Sequence, residues 1–181
     1  MFSLRFQVVL AAGLAALAFA AGCASSSDSR DQGTKASNPV IQESASAPIP
    51  KKAALPDLPD GAGEMDADAP EEFTRTKSGL YYRILRKSNG RKPRAIEEVS
   101  AHYRGWLKND KQFDSSYERG EPTTFKLNQV VPGWTEGLQL IGVGGMIELE
   151  IPPGLGYGAQ GRPDIPPNST LHFIVELKEI K

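Results

Sequence analysis

The chain has 181 residues, 39% hydrophobic and 24% charged, which is material for one ordinary domain and a tail but not for two large domains. Its 21 basic residues against 22 acidic ones leave a formal charge of −1, so the overall balance gives no reason to expect nucleic acid as a partner. A lone cysteine, Cys23, excludes an internal disulfide framework and any cysteine-rich metal knuckle, because each needs at least a pair. The charge is unevenly spread: residues 1–22 carry +1, residues 24–72 carry −6 and residues 73–181 carry +4, so an acidic stretch precedes a mildly basic one.

The N-terminal region, residues 1–22, has the layout of a secretory signal peptide: a positive charge at Arg5, an apolar, alanine-rich run from Phe6 to Phe19, and the small residues Ala20, Ala21 and Gly22. The run is shorter than the roughly 20 apolar residues of a membrane-spanning helix. Ala20-Ala21-Gly22-Cys23 resembles the lipobox of bacterial lipoproteins, in which the cysteine is acylated and becomes the new N-terminus. Two or three acyl chains, at about 0.8 kcal/mol per buried CH₂, hold a protein durably to a bilayer. The resemblance implies anchorage at Cys23, with Ala24 after it pointing to the outer membrane facing the periplasm. The alternative is ordinary cleavage after Ala20, which gives a soluble periplasmic protein.

Residues 23–72 are rich in Ser, Ala, Pro and Asp and nearly lack aromatics, as in Ser25-Ser26-Ser27 and Pro56-Asp57-Leu58-Pro59-Asp60-Gly61. Such composition buries too little apolar surface to offset chain entropy. It predicts a disordered tether with a mean reach of about 35–40 Å. No heptad or helical stripe marks a dimerisation segment, so the expectation is a monomer.

The folded domain is expected at residues 73–181. Gly79–Leu85, ended by the Asn89-Gly90 turn signal, Val99–Leu107, Thr123–Leu127, Met146–Ile151 and Leu171–Ile180 read as strands of period two. In the last, Leu171, Phe173, Val175 and Leu177 share one face and His172, Glu176 and Lys178 the other. One amphipathic helix is predicted over Pro132–Ile141, with Trp134, Leu138 and Ile141 at i, i+4, i+7, Pro132 near its start and Gly142 at its stop. The fold class is therefore α+β: a five- or six-stranded antiparallel sheet curled around one short helix that lies across its concave apolar face.

Several motifs are set aside on context. Gly156–Gly161 matches GxGxxG, but it runs into Arg162-Pro163-Asp164-Ile165-Pro166-Pro167 rather than opening a helix, so it reads as a loop and not a phosphate cradle. His102 and His172 sit in separate strands without a third ligand at metal spacing. No GxSxG elbow occurs and no cysteine lies in the domain.

What remains is a density of aromatics and prolines beside loops. Ala101-His102-Tyr103-Arg104-Gly105, Gln112-Phe113-Asp114-Ser115-Ser116, Val130-Val131-Pro132-Gly133-Trp134-Thr135-Glu136-Gly137, Gly156-Tyr157-Gly158 and Ile165-Pro166-Pro167-Asn168-Ser169-Thr170-Leu171-His172-Phe173 resemble, in this order, the FKBP-type peptidyl-prolyl cis-trans isomerases over residues 78–181. The resemblance implies a site in which Trp134 forms the floor under a substrate proline ring. Tyr103, Phe113 and Phe173 form aromatic walls, and Val130, Val131 and Ile165 an aliphatic lining. Tyr157 and Asp114 contribute a phenol and a carboxylate at the rim, and Arg119 pairs with Asp114. It implies proline-containing polypeptides as substrate, a macrolide as inhibitor, and neither metal nor cofactor. Three features depart from the family's eukaryotic prototype: Thr123 replaces an aromatic beside Pro122, which trims one wall, Arg162 replaces a histidine, and the loop from Arg162 to Pro167 reads about one residue shorter. Two functions stay open: an isomerase for exported or envelope proteins, and a non-catalytic chaperone module that grips proline-containing segments in the same pocket. A purely structural envelope linker, which would bind no peptide, is the weakest reading.

Overall fold

The alternating apolar stretches become antiparallel strands of one sheet in the computed structural model, which describes residues 51–181. The expected signal peptide, the Cys23 lipidation site and the tether up to residue 50 lie outside the described residues. In chain order the elements are β1 (Lys51–Lys52), β2 (Glu72–Arg75), β3 (Tyr81–Arg86), β4 (Glu98–Leu107), β5 (Gln112–Ser115), β6 (Thr123–Lys126), α1 (Pro132–Leu138), β7 (Met146–Ile151) and β8 (Leu171–Ile180). The sheet runs β1-β2-β3-β7-β8-β4-β5. The long β4 pairs with β8 from Val99 to Leu107. Its other edge is shared, with β6 along Glu98–Ala101 and β5 along Arg104–Trp106. The expectation of five or six strands is corrected to eight, because β1, β2 and β5 have only two to four residues each and are too short for alternation to show.

The helix begins where expected, with Pro132 at its first position, where a missing N–H costs nothing. It ends at Leu138, three residues before Ile141, because the N–H of Leu140 turns back to the carbonyl of Gly137 and tightens the last turn. Ile141 is still buried, at 3% exposure. The helix rests directly on β7: a Cβ at Gly133 would sit 2.6 Å from Ile151 Cγ2, so only glycine permits this approach. Leu138, Leu149, Leu171, Val175 and Leu177 fill the space between helix and sheet.

The opposite face of the sheet is not left to water. Ile174 and Glu176, on the face of β8 that the alternation assigns to solvent, are buried. Leu58, Ala62 and Met65 cover it, packing on Leu85, Met146 and Ile174. Residues 51–72, assigned above to the tether, are thus a strap along the back of the domain. Arg83 fastens it, donating to Glu148 Oε2 (2.6 Å) and to the carbonyls of Ala53 (2.7 Å), Ala54 (2.7 Å) and Glu71 (3.1 Å). Arg86 donates to the carbonyl of Glu64 and to Glu176, and the Asp66 N–H donates to the carbonyl of Leu85. A segment poor in apolar residues can therefore be ordered, because much of what holds it is backbone captured by two arginines and a strand edge.

Candidate active site

On the concave side the sheet and α1 leave a hollow whose walls come from five elements and two loops. Tyr103 arises from β4, Phe113 and Asp114 from β5, Phe125 from β6, Trp134 from the first turn of α1 and Phe173 from β8. Val130 and Val131 lead into the helix, and Tyr157 and Ile165 belong to the connection between β7 and β8. Together these residues line a cavity of about 530 Å³ of empty space, open on one side. Gly105 in β4 makes the room: a Cβ there would lie 2.6 Å from Phe173 Cε1 and 2.7 Å from Phe113 Cζ.

The rings are locked edge to face, the arrangement their quadrupoles favour. Trp134 meets Tyr103 at 5.2 Å and 85°, Phe125 at 5.2 Å and 72°, and Phe173 at 5.3 Å and 81°. Phe113 meets Phe173 at 5.4 Å and 85°. The indole is 4% exposed yet lines the cavity, and its Nε1–H has no hydrogen-bond partner among the described residues.

The polar rim falls into two groups. In the first, the Tyr103 hydroxyl donates to Asp114 Oδ2, while Arg119 donates through Nη1 to Asp114 Oδ1 (2.6 Å) and through Nη2 to the Tyr103 hydroxyl (2.9 Å) and Thr123 Oγ1 (3.2 Å). Burial, reinforced by the Asp114 carboxylate, pushes the Tyr103 phenol far above its ordinary value, so it remains a neutral donor. In the second, Arg162 donates through Nη1 to the Tyr157 hydroxyl (2.8 Å), with its guanidinium carbon 4.9 Å from the centre of the Tyr157 ring.

Of the residues named from the sequence for the domain, all but Arg119 line the cavity; Arg119 stands behind Asp114 and holds it. Phe125, Arg162 and Asp164 complete the lining and were not named as site residues. Phe125 had a signal: it lies two residues beyond Thr123 on one strand face. Its ring keeps that side of the pocket aromatic although Thr123 has none. The glycine-rich run ends in a bridge between Arg162 and Ile165, not a helix. His102 lies 3.1 Å through Nδ1 from Ser116 Oγ and stacks on Tyr117, and His172 stacks on Trp106.

Residues 89–178 match the family described as FKBP-type peptidyl-prolyl cis-trans isomerase. The FKBP-type isomerase FkpA of Escherichia coli strain K12 is 45% identical over 142 residues, covering 78% of this chain and 52% of that protein. A probable FKBP-type isomerase of Haemophilus influenzae is 52% identical over 111 residues, covering 61% of this chain and 46% of its own length. The chain thus spans about half the length of these curated relatives. Among solved structures, E. coli FkpA superposes with a TM-score of 0.59 at 49% identity over 60% of this chain and 51% of that one. The crystal structure of AtFKBP13 does so with 0.57 at 36% identity over 61% of this chain and 99% of that one. Identity of this order across nearly all of a solved relative, together with a family match running from the Asn89-Gly90 turn into β8, makes the chain a member of the FKBP-type peptidyl-prolyl cis-trans isomerase family.

Proposed function

We propose that this protein accelerates cis-trans isomerisation of X-Pro bonds in exported polypeptides. The observation that carries the reading is the ring-lined cavity with Trp134 at its base and a carboxylate and a phenol at its rim. The barrier to rotation, about 18–20 kcal/mol, is amide resonance. Resonance places negative charge on the carbonyl oxygen and positive charge on nitrogen, so a dry apolar site disfavours the planar imide relative to the twisted, less dipolar one. Asp114, held by Arg119 and Tyr103, adds a fixed negative charge that opposes charge building on that oxygen. The rings seat the proline in the rotated geometry. No covalent bond is made or broken, so the reaction calls for no nucleophile, metal or cofactor.

The test is a protease-coupled assay on a proline tetrapeptide with and without a macrolide. A rate above buffer that the macrolide abolishes supports the proposal; peptide binding without acceleration supports the chaperone-module alternative instead. Asp114→Asn keeps an acceptor for the Tyr103 hydroxyl but removes the charge. It is expected to lower kcat/KM about tenfold, or ~1.4 kcal/mol, with the unfolding midpoint near the parent's. Asp114→Ala would leave the buried Tyr103 hydroxyl without that acceptor and cost about 1–3 kcal/mol of stability as well.

We further propose that the chain is exported and anchored through an acylated Cys23, on the support of the lipobox-like Ala20-Ala21-Gly22-Cys23 and the apolar run before it. Cys23→Ala is expected to move the protein from the membrane to the soluble fraction of the periplasm. A variant that stays with the membrane would sink the anchor.

A further inference from the structure

The proposed function accounts for the rings and for Asp114, but not for the second polar group at the cavity mouth. Arg162 lines the same cavity as the ring cluster and is not a loose surface side chain. Its N–H donates to the carbonyl of Ile165 (2.7 Å) and its carbonyl accepts from the N–H of Ile165 (3.0 Å), so its backbone is pinned to a residue of the pocket wall. The loop before it is tied as well: the Gly161 N–H donates to the carbonyl of Tyr157 (3.1 Å), and the Asn168 N–H to that of Gly158 (2.8 Å). The side chain lies over the Tyr157 ring and donates to the phenolic oxygen.

A phenol has one proton and can accept as well as donate. When a guanidinium, which can only donate, occupies an accepting position of the Tyr157 oxygen, the phenol's proton is left to point away from the guanidinium, and Tyr157 is itself part of the cavity lining. We propose that Arg162 is a positioning residue for isomerisation: by occupying the acceptor side of the Tyr157 hydroxyl it fixes that hydroxyl as a donor to a backbone carbonyl of the bound peptide. The acceptor is a carbonyl flanking the rotating imide and not the imide's own oxygen, since a donor on that oxygen would strengthen resonance and raise the barrier. The guanidinium also polarises the O–H, making it a better donor. Burial raises the pKa of the Tyr157 phenol and Arg162 opposes that rise, as such polarisation requires. The inference rests on the isomerase reading above and assigns it a residue in which this chain departs from the family prototype.

The experiment compares the parent, Arg162→Gln, Arg162→Lys, Tyr157→Phe and the Arg162→Gln/Tyr157→Phe double variant in the proline tetrapeptide assay. In parallel, the ¹³C resonance of Tyr157 Cζ is titrated with alkali in the ligand-free protein. Tyr157→Phe is expected to reduce kcat/KM about 3–10-fold and Arg162→Gln about 2–5-fold, the effect of one hydrogen bond to a neutral group. Most of the loss should lie in KM, because the bond is present in bound substrate and transition state alike. Arg162→Lys should recover part of it. In the Tyr157→Phe background, Arg162→Gln should cost nothing further, and Arg162→Gln alone should move the Tyr157 titration to higher pH. An Arg162→Gln variant with parental kcat/KM, or with the same loss in the Tyr157→Phe background, overturns the positioning role while leaving the isomerase reading intact. A parent that does not exceed the buffer rate overturns both.

Discussion

Replacing Trp134 by Ala is expected to destabilise the domain by about 3–5 kcal/mol and to abolish isomerisation with it. The indole touches Tyr103, Phe125 and Phe173 at 5.2 to 5.3 Å between ring centres, so its removal unlocks the whole cluster and merges its volume with the cavity above. Stability and activity would then fall together, and the experiment would not say which function the ring serves. Trp134→Leu separates them. Leucine restores much of the apolar packing, and it sacrifices no hydrogen bond, because the Nε1–H has no partner among the described residues to lose. The expected outcome is a loss of about 1–3 kcal/mol of stability and a drop in kcat/KM of at least tenfold, since a flexible aliphatic chain cannot offer a flat base to the proline ring. Urea unfolding followed by circular dichroism gives the first, the coupled peptide assay the second. Parental turnover in Trp134→Leu would remove the indole from its proposed place beneath the substrate.

How much of this was legible beforehand varied by residue, for identifiable reasons. The start of α1 is readable because Pro132 fixes both a backbone angle and a missing donor, which puts Trp134 in the first turn; its role as a floor is implied by the family resemblance alone. That Tyr103 and Phe173 face inward follows from ten-residue strands that alternate, whereas their place in a site follows only from the family resemblance. β5 was hidden: Gln-Phe-Asp-Ser shows no pattern alone, and is a strand because Arg104, Gly105 and Trp106 offer it an edge. Phe125 shares a strand face with Thr123, which is the one sequence signal for its place in the pocket. The strap leaves even less trace in the sequence. Counting apolar residues in 51–72 gives too few to fold, but the count omits donors supplied from elsewhere. Arg83 stands among Tyr81, Tyr82 and Ile84, and nothing local says that its guanidinium lies under another segment's carbonyls rather than in water. Long-range capture of backbone by a side chain leaves no periodic trace.

That capture makes Arg83 the second site at which a single change should have a large effect. The Arg83 and Glu148 side chains are 1% and 7% exposed, and Nε to Oε2 is 2.6 Å. Truncating one partner of such a pair leaves an uncompensated buried charge, which typically costs about 3–5 kcal/mol. Arg83→Met should therefore unfold at much lower urea, and the penalty should depend on pH in a defined direction. Burial pushes the Glu148 carboxyl above its ordinary value, with Arg83 opposing. Without the guanidinium the opposition is gone and the folded-state pKa rises further above the unfolded one. A group shifted this way is best accommodated when protonated, so Arg83→Met should lie nearest to the parent in mild acid and fall away from it as pH rises through the folded-state value toward neutrality. Adding Glu148→Leu removes the stranded charge and should recover most of the stability at neutral pH. It should not restore the strap, because the carbonyls of Ala53, Ala54 and Glu71 still lack their donor. Limited proteolysis should then cut within residues 53–71 in both variants and spare the parent. A double variant that is protected like the parent would mean that Leu58, Ala62 and Met65 hold the strap by apolar contact alone, with Arg83 serving only as the counter-charge of Glu148.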